Sequence, residues 1–195
     1  MDNIWKVAVI GAGVMGAAIA AHVANAGIPV VLLDVVAKEN PNCNALAEGA
    51  LERMLKASPA PFMSATAAKL VITGNIEDHL GLLADCDWVI EAVIERLDIK
   101  QALYAKIDSV RKKDSVVSSN TSTIPLAELT KGTSENFTHH FLITHFFNPP
   151  RYMRLLEVVT GDKTSKQTLE TISHFADELG QNCCALQRLA RFYWQ

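Results

Sequence analysis

Several features that would assign the chain to a special class of proteins are missing from its sequence. The 195 residues contain 4 cysteines but no Cys-x-x-Cys pair, which disfavours a metal site and is typical of reduced thiols. A formal net charge of −3 gives no general reason to expect binding to nucleic acid or to an anionic membrane. The apolar run from Val7 to Ala21 is too short to span a bilayer and is interrupted by glycines. We therefore expect a cytoplasmic protein that binds no metal and does not insert into a membrane.

The composition indicates a folded globular protein. Hydrophobic residues make up 49% of the chain, enough for a sizeable core at this length. The sequence contains no internal repeat, low-complexity tract or flexible linker. Uninterrupted apolar runs at Val7–Ile10 and Val30–Leu33 are typical of strands buried on both faces. The pattern predicts an α/β fold with a mostly parallel sheet and helices on both faces.

A glycine-rich motif follows the first of these runs. Gly11, Gly13 and Gly16 form Gly-x-Gly-x-x-Gly, and an Ala-rich helical pattern comes directly after it. Gly11 permits the tight turn, Gly13 lets a pyrophosphate approach the backbone, and Gly16 lets the helix lie close to the sheet. The helix then offers unpaired N–H groups and a positive dipole end to phosphates. The predicted cofactor-binding loop is Gly11, Gly13, Val14, Met15 and Gly16.

An acidic residue lies where such a motif requires one. Asp34 ends the second apolar run, about 20 residues beyond the loop. Its carboxylate can accept hydrogen bonds from both adenosine ribose hydroxyls and would repel a 2′-phosphate. NAD is therefore favoured over NADP.

Two lysines and a glutamate are weaker candidates. The region from Lys38 to Asp78 could form a projecting helical hairpin, where Lys56 meets an acidic or phosphorylated substrate or is only a solvated surface lysine. Glu95 follows the strand that begins near Asp87, at the edge where open α/β sheets bind ligands. Lys100 could pair with Glu95, as a surface ion pair, or reach a phosphate or ribose.

The second half of the chain carries polar residues at strand ends. Ser115 to Thr123 is a strand that breaks into a polar loop, with Thr123 a candidate cap for the helix opened by Ile124 and Pro125. A hairpin-like return after Asn148 would bring His145 and Glu157 onto neighbouring strands. A histidine whose tautomer is held by a carboxylate is a candidate general base, although a lone histidine beside aromatic residues is usually part of the core.

These segments together resemble the NAD-binding domain of L-3-hydroxyacyl-CoA dehydrogenases, the enzymes of the third step of fatty-acid β-oxidation. The matching residues occur in family order from residue 5 to about 182, and the resemblance is closest to a bacterial form in which this domain precedes an enoyl-CoA hydratase-like region. The most specific run is His145-Phe-Phe-Asn-Pro149, and the others are Gly11-Ala-Gly-Val-Met-Gly16, Asp34, Glu91-Ala-Val-Ile-Glu95 with Lys100, Ser119-Asn-Thr-Ser122 and Leu156-Glu-Val158.

The resemblance implies a role for each predicted site residue. His145 would take the 3-hydroxyl proton of an acyl-CoA substrate, and Glu157 would orient it and stabilise its imidazolium form. Ser122 would bind the substrate, and Asn148 would position nicotinamide or substrate. Glu95 and Lys100 would line the NAD pocket, and Lys56 would meet the CoA phosphates. The implied fold is of the Rossmann type, an α/β domain with a doubly wound, mostly parallel sheet, helices on both faces and extra strands at the carboxyl end. The implied activity is NAD-dependent oxidation of L-3-hydroxyacyl-CoA to 3-oxoacyl-CoA.

The last residues depart from the family pattern. After Asn182 the family continues with a valine-rich strand, a Lys-Asp-x-Pro-Gly-Phe-Ile-x-Asn-type segment and a helical domain for dimerisation. Cys183 to Gln195 lacks that segment, yet one choice of synonymous codons, read one base later, encodes VVRCKDSPGFIG. We therefore hypothesise that residues 1–182 are the NAD-binding domain, that 183–195 are a frame-shifted tail, and that the C-terminal helical domain is absent.

Two other functions remain open at the level of sequence. A dehydrogenase of small β-hydroxy acids shares the glycine loop and Asp34, but such enzymes usually use a lysine base from the following domain. A structural NAD-binding protein, like the lens crystallin that resembles this family, needs no catalytic residues. On the preferred interpretation the chain binds NADH but turns over poorly, and a homodimer would form mainly through the missing domain.

Overall fold

The computed structural model describes residues 3–187 and contains one sheet of eight strands within that range. At least one helix lies between each pair of consecutive strands along the chain, except the sixth and seventh, which follow each other without a helix. The strands are β1 (Val7–Ile10), β2 (Val30–Asp34), β3 (Val71–Asn75), β4 (Trp88–Glu91), β5 (Val116–Ser119), β6 (Phe141–Phe146), β7 (Leu155–Thr160) and β8 (Asn182–Gln187).

Within residues 3–187, four long helices and four short ones connect these strands, together with one 3₁₀ helix. The long helices are α1 (Val14–Asn25), α2 (Ala45–Lys56), α5 (Leu97–Val110) and α8 (Lys166–Glu178). The short ones are α3 (Ala65–Ala68), α4 (Ile76–His79), α6 (Leu126–Leu129) and α7 (Glu135–His139), and the 3₁₀ helix is Leu80–Asp85.

The strand order is β3-β2-β1-β4-β5-β6-β7-β8, and the first six strands are parallel. This is the doubly wound order. The strands are added outwards in one direction from β1 to β3 and in the other direction from β4 onwards, which leaves a crevice between β1 and β4 at the carboxyl ends of the strands. The six parallel strands end at this common edge, the carboxyl edge, with Ile10, Asp34, Asn75, Glu91, Ser119 and Phe146. The predicted Rossmann-type fold is confirmed.

Helices cover both faces of the sheet, as predicted. On one face α1, α2, α3 and α8 pack over a shared apolar cluster, to which α2 contributes Ala47, Ala50 and Met54. On the other face α4 to α7 pack over a second cluster that includes Tyr104 and Phe137. Because α2 and α3 bury their apolar sides beside α1, the predicted projecting hairpin is wrong; the two helices are part of the core.

The extra strands at the end of the sheet complete the predicted architecture. β7 runs antiparallel to β6, and β8 runs parallel to β7. Residues 183–187, which we assigned to an aberrant tail, lie in β8, whereas 188–195 lie outside the described residues. The domain boundary at residue 182 and the reading-frame hypothesis stay predictions.

None of the helices within residues 3–187 is both long and apolar enough to cross a membrane. In the same range no group of three or more histidine, cysteine or acidic side chains could hold a metal ion. All four cysteines are free thiols.

Candidate active site

Three glycines shape the loop between β1 and α1, each for a different steric reason. Gly11 has a φ of +104°, and a Cβ there would lie 2.5 Å from the Ala92 carbonyl oxygen. A Cβ on Gly16 would lie 1.8 Å from the Gly11 carbonyl oxygen. A Cβ on Gly13 would meet nothing within 4 Å. The loop therefore packs tightly against protein backbone at Gly11 and Gly16, whereas the space beside Gly13 is open and a ligand's phosphate can approach the backbone there.

The first turn of α1 completes this loop. Gly13 caps the helix without a side chain that could bond the first N–H groups, and Val14 is 75% exposed. Met15 is half-buried against the core. A bare helix N-terminus carries unpaired N–H donors and a partial positive charge, both of which suit an anion such as a pyrophosphate.

Asp34 lies directly beside the loop. Its Oδ2 accepts a hydrogen bond from the Ala12 amide at 2.6 Å, and its Oδ1 accepts one from the Val35 amide at 2.7 Å. Each carboxylate oxygen keeps a second acceptor site, so the side chain can also bind a pair of vicinal hydroxyls. The open glycine loop, the bare helix end and this carboxylate together fit the pyrophosphate and adenosine ribose of a dinucleotide.

His145 and Glu157 face each other across β6 and β7. They are direct partners in the antiparallel register, and His145 Nδ1 lies 2.8 Å from Glu157 Oε2. The predicted hairpin-like return, which places these residues on neighbouring strands, is confirmed. Both side chains are about three-quarters buried, and within residues 3–187 the Nε2 atom of His145 has no hydrogen-bond partner. This nitrogen is free to exchange a proton with a bound molecule.

Ser122 and Asn148 are exposed at the same edge of the sheet. Neither side chain makes a hydrogen bond to any other residue in the described part of the chain. Asn148 lines a cleft of about 310 Å³ together with Gly13 and Val14 of the glycine loop. The structure thus brings Asn148 next to the cofactor-binding loop, although more than 130 residues separate them in sequence.

Glu91 is the centre of a buried hydrogen-bond network at the end of β4. Its Oε1 accepts hydrogen bonds from Lys100 Nζ at 2.7 Å and from the Val93 amide at 2.8 Å. Its Oε2 accepts from Tyr104 at 2.7 Å and from Ser119 at 2.6 Å. Burial, followed by the charge of Glu91, raises the pKa of Tyr104 well above its usual value, so this phenol stays a donor. A carboxylate with four donors is stable in the core because its hydrogen-bonding capacity is filled.

Lys100 belongs to this network. Its side chain is 1% exposed, and its Nζ also lies 3.2 Å from Glu95 Oε2. The pairing with Glu95 that the sequence suggested is present, but the description as a surface pair is wrong, because helix α5 turns Lys100 towards the carboxylate in β4. An ammonium held by two carboxylates cannot reach a phosphate in this arrangement.

Glu95 links the β4–α5 connection to the polar loop after β5. Its carboxylate accepts hydrogen bonds from the hydroxyls of Thr121 and Thr123, in addition to the contact with Lys100. Burial raises the pKa of Glu95, but these hydroxyls and the Lys100 charge outweigh it, so the pKa lies below its ordinary value. The loop that carries Ser122 is therefore fixed on both sides of that serine.

Thr123 does not cap a helix, contrary to the sequence-based prediction. Helix α6 begins only at Leu126, and Pro125 precedes it without a side-chain cap. The Thr123 hydroxyl donates to Glu95 at 2.8 Å instead. The local amides of Thr123 and Ile124 donate to the Thr121 hydroxyl oxygen, at 3.3 and 3.1 Å. The acceptor for the Thr123 hydroxyl lies on a segment 28 residues away that local sequence cannot reveal.

Lys56 lies apart from these groups, at the last residue of α2. Its side chain is 79% exposed, and its Nζ is 4.0 Å from Glu52 Oε2. Its neighbours Arg53, Met54 and Ala57 line the cleft that Asn148 also lines, but Lys56 itself does not. A contact between Lys56 and a CoA phosphate stays a prediction.

Sequence reasoning missed the roles of Glu91 and Asn120. A charged residue at the end of the apolar run Trp88-Val-Ile-Glu91 was a signal that its carboxylate needs buried partners. Asn120 Oδ1 accepts a hydrogen bond from the Phe146 amide at 3.0 Å, which ties the end of β5 to the end of β6 beside His145. The polar run after β5 was recognised, but the partner of Asn120 was not predictable.

Comparison with known proteins identifies the same kind of cofactor as the geometry of the site. The family described as "3-hydroxyacyl-CoA dehydrogenase, NAD binding domain" matches residues 6–188. A probable 3-hydroxyacyl-CoA dehydrogenase of Deinococcus radiodurans is 54% identical over 175 residues, which are 90% of this chain and 51% of that protein. A putative fatty acid oxidation complex trifunctional enzyme of Rickettsia felis is 44% identical over 174 residues, 89% of this chain and 24% of that protein.

The fold is also similar to that of solved dehydrogenase structures. The crystal structure of 3-hydroxybutyryl-CoA dehydrogenase from Escherichia coli superposes with a TM-score of 0.81 at 29% identity, over 95% of this chain and 39% of that one. The chain therefore spans between a quarter and a half of the length of these relatives.

Proposed function

The chain belongs to the 3-hydroxyacyl-CoA dehydrogenase family by its NAD-binding domain, and on this premise we propose that it oxidises L-3-hydroxyacyl-CoA to 3-oxoacyl-CoA. NAD, when bound, accepts the hydride that leaves the 3-carbon of the substrate. The protein must then hold the two reactants in register and remove one proton. The glycine loop, the amino end of α1 and Asp34 would hold the dinucleotide.

The single observation that carries the proposal is the His145–Glu157 pair. Nδ1 of His145 lies 2.8 Å from a carboxylate oxygen of Glu157. A neutral histidine with Nδ1–H donated to Glu157 presents an unprotonated Nε2 to the substrate hydroxyl. Once Nε2 has taken the hydroxyl proton, the Glu157 charge stabilises the imidazolium at that distance. The pair is thus suited to general-base catalysis in oxidation and to general-acid catalysis in the reverse reaction.

Two further residues are proposed to orient the reactants. Ser122 and Asn148 present exposed polar groups without hydrogen-bond partners in the described chain, at the edge where His145 lies. Ser122 is held between Thr121 and Thr123, both bonded to Glu95, so its hydroxyl is available at a fixed position. We assign Ser122 to the substrate and Asn148 to nicotinamide or substrate. Glu95 is assigned to the cofactor pocket, and Lys100 acts there through Glu95.

The rival functions are disfavoured by the same features. A small β-hydroxy acid dehydrogenase needs no histidine–carboxylate pair at this position, and the family match runs over most of the chain. A structural NAD-binding protein needs no free Nε2, exposed Ser122 or exposed Asn148. The names of the relatives, which refer to 3-hydroxyacyl-CoA and fatty acid oxidation, support an acyl-CoA substrate.

The test is NADH-dependent reduction of acetoacetyl-CoA by the chain alone and by the longest natural form of the protein. We expect turnover by the long form, with loss of activity in His145→Gln, and weak NADH binding with little turnover by the chain alone. An inactive long form that still binds NADH would overturn the enzymatic proposal in favour of the structural one. Homodimer formation and cytoplasmic location stay predictions.

A further inference from the structure

A buried hydrogen-bonded group connects three distant parts of the chain behind the proposed site. Gln181 follows α8, and its Nε2 lies 2.8 Å from Nε2 of His22 in α1. The same Gln181 nitrogen donates to the Pro150 carbonyl at 2.9 Å. Gln181 is 3% exposed and His22 is 5% exposed, so water is not available to replace these contacts.

The protons of this group can be assigned. The Gln181 amide nitrogen carries two N–H donors, and its two neighbours, the Pro150 carbonyl and His22 Nε2, can each accept one. His22 is then neutral, with its proton on Nδ1, a buried atom that has no hydrogen-bond partner in the described part of the chain. Burial, and secondly the Arg151 charge, lower the pKa of His22 to about 4, in agreement with that form.

The segment that Gln181 holds cannot supply its own donors. Pro149 and Pro150 have no backbone N–H, so their part of the chain contributes only carbonyl groups. The Pro149 carbonyl accepts from the amides of Tyr152 and Met153, whereas the Pro150 carbonyl is satisfied by Gln181. Among residues 3–187, Gln181 is the only side chain that donates a hydrogen bond to the Pro150 carbonyl.

The anchored segment is the one that carries Asn148. Asn148 lies two residues before Pro150 and lines a cleft with Gly13 and Val14. His22, the second contact of Gln181, lies in the helix that Val14 begins. One amide therefore joins the Asn148 segment to the helix whose amino end faces the cofactor site.

We propose that Gln181 is a positioning residue: its amide holds the Asn148–Pro150 segment in register with helix α1, and so holds Asn148 in register with the bound cofactor. The inference rests on the proposed dehydrogenase function. It predicts that loss of the amide impairs the chemical step more than cofactor binding, because Gly13, Val14 and Asp34 bind the dinucleotide without contact to Gln181.

The test compares Gln181→Met with Thr168→Val. Methionine keeps the length and volume of Gln181 but cannot donate. Thr168 is an equally buried residue whose hydroxyl donates to the His139 carbonyl at 3.1 Å, at the opposite edge of the sheet. The measurements are kcat for acetoacetyl-CoA reduction and Kd for NADH in the longest natural form, the unfolding temperature, and hydrogen exchange of the Tyr152 and Met153 amides.

For Gln181→Met we expect kcat to fall on the order of 10- to 100-fold, as a small displacement of a positioned group does, with Kd for NADH within about twofold. The Tyr152 and Met153 amides should exchange faster in this variant only. Thr168→Val should lower the unfolding temperature by a similar amount and leave kcat unchanged.

The possible results separate the inference from the function it rests on. An unchanged kcat in Gln181→Met, with or without faster amide exchange, overturns the positioning role, as does an equal loss of kcat in Thr168→Val. If the wild-type protein does not reduce acetoacetyl-CoA, the proposed function fails, and unchanged exchange of the Tyr152 and Met153 amides then refutes the anchor as well.

Discussion

The ammonium of Lys100 lies 2.7 Å from Glu91 Oε1, and the two side chains are 1% and 0% exposed. The pair is fully enclosed beneath the carboxyl edge of the sheet. Two charged groups that are buried away from water stabilise each other, because removal of one group leaves the other buried without an opposite charge. Four donors to Glu91 and two carboxylates around Lys100 explain why this polar group is compatible with an apolar core.

Lys100→Met should therefore lower the free energy of unfolding by about 3–5 kcal/mol. The matched control is Lys112→Met, because Lys112 Nζ lies 2.6 Å from Asp87 Oδ1 but its side chain is 42% exposed. An exposed pair contributes about 0–1 kcal/mol. Urea denaturation of both variants measures the difference, and equal losses would show that the Lys100 pair is not electrostatically isolated from water.

His145→Gln should lower kcat by about 10²- to 10⁴-fold with little change in Kd for NADH, because only the proton transfer is lost. Glu157→Gln should have a smaller effect, since the amide can still orient His145 but no longer stabilises its imidazolium. The control is His174→Gln, which removes a histidine 3.5 Å from Glu178 on the exposed face of α8. Steady-state reduction of acetoacetyl-CoA by the longest natural form of the protein, with NADH fluorescence for binding, measures the order of these effects. Wild-type kcat in His145→Gln would rule out the assigned base.

Gly13→Ala and Gly16→Ala should separate cofactor binding from folding. A Cβ on Gly13 meets no protein atom within 4 Å and the backbone there is unstrained, so stability should change by less than about 0.5 kcal/mol. Affinity for NADH should fall at least about tenfold, since the Cβ occupies the approach to the phosphates.

Gly16→Ala should instead destabilise the fold by about 1–3 kcal/mol or more, because its Cβ would lie 1.8 Å from the Gly11 carbonyl oxygen. Thermal denaturation and NADH titration of both variants give the two effects. If Gly13→Ala binds NADH as tightly as wild type, the phosphates do not approach the backbone at this residue.

Stability should rise with pH between about 4 and 6.5 because of His22. Its folded pKa is lowered from 6.5 to about 4, by burial first and by the Arg151 charge second. In that window the unfolded chain binds the proton and the folded chain does not. The contribution of neutral His22 to the free energy of unfolding is therefore complete above the unfolded pKa and is lost as pH falls through the folded pKa. The full change is about 3 kcal/mol.

His22→Leu should remove this part of the pH dependence. Asn25→Leu, three residues along the same helix, is the control, because it removes the hydrogen bonds of Asn25 to Pro61 and Met63 without removing a titratable group. Urea denaturation at several pH values measures the slope for both. A slope in His22→Leu equal to that of wild type would assign the pH dependence to other groups.

Much of the cofactor half of the site was predictable from sequence. The strand, glycine loop, helix and second strand from Val7 to Asp34 are encoded within a short segment, and their geometry follows from local requirements such as the positive φ of Gly11. The placement of His145 and Glu157 on neighbouring strands was also predictable, because the chain turns back after Asn148, whereas their direct pairing was visible only in the assembled sheet.

What the sequence alone determined is thus the type of fold, the position of the glycine loop and the placement of His145 and Glu157 on neighbouring strands. The tertiary structure alone decided the burial of Lys100, the partner of Thr123 and the contact between Gln181 and His22, which are 159 positions apart. Each depends on which distant segments the strand order places side by side. A local pattern shows that a polar residue is present, but only the assembled sheet determines whether water or another side chain satisfies it.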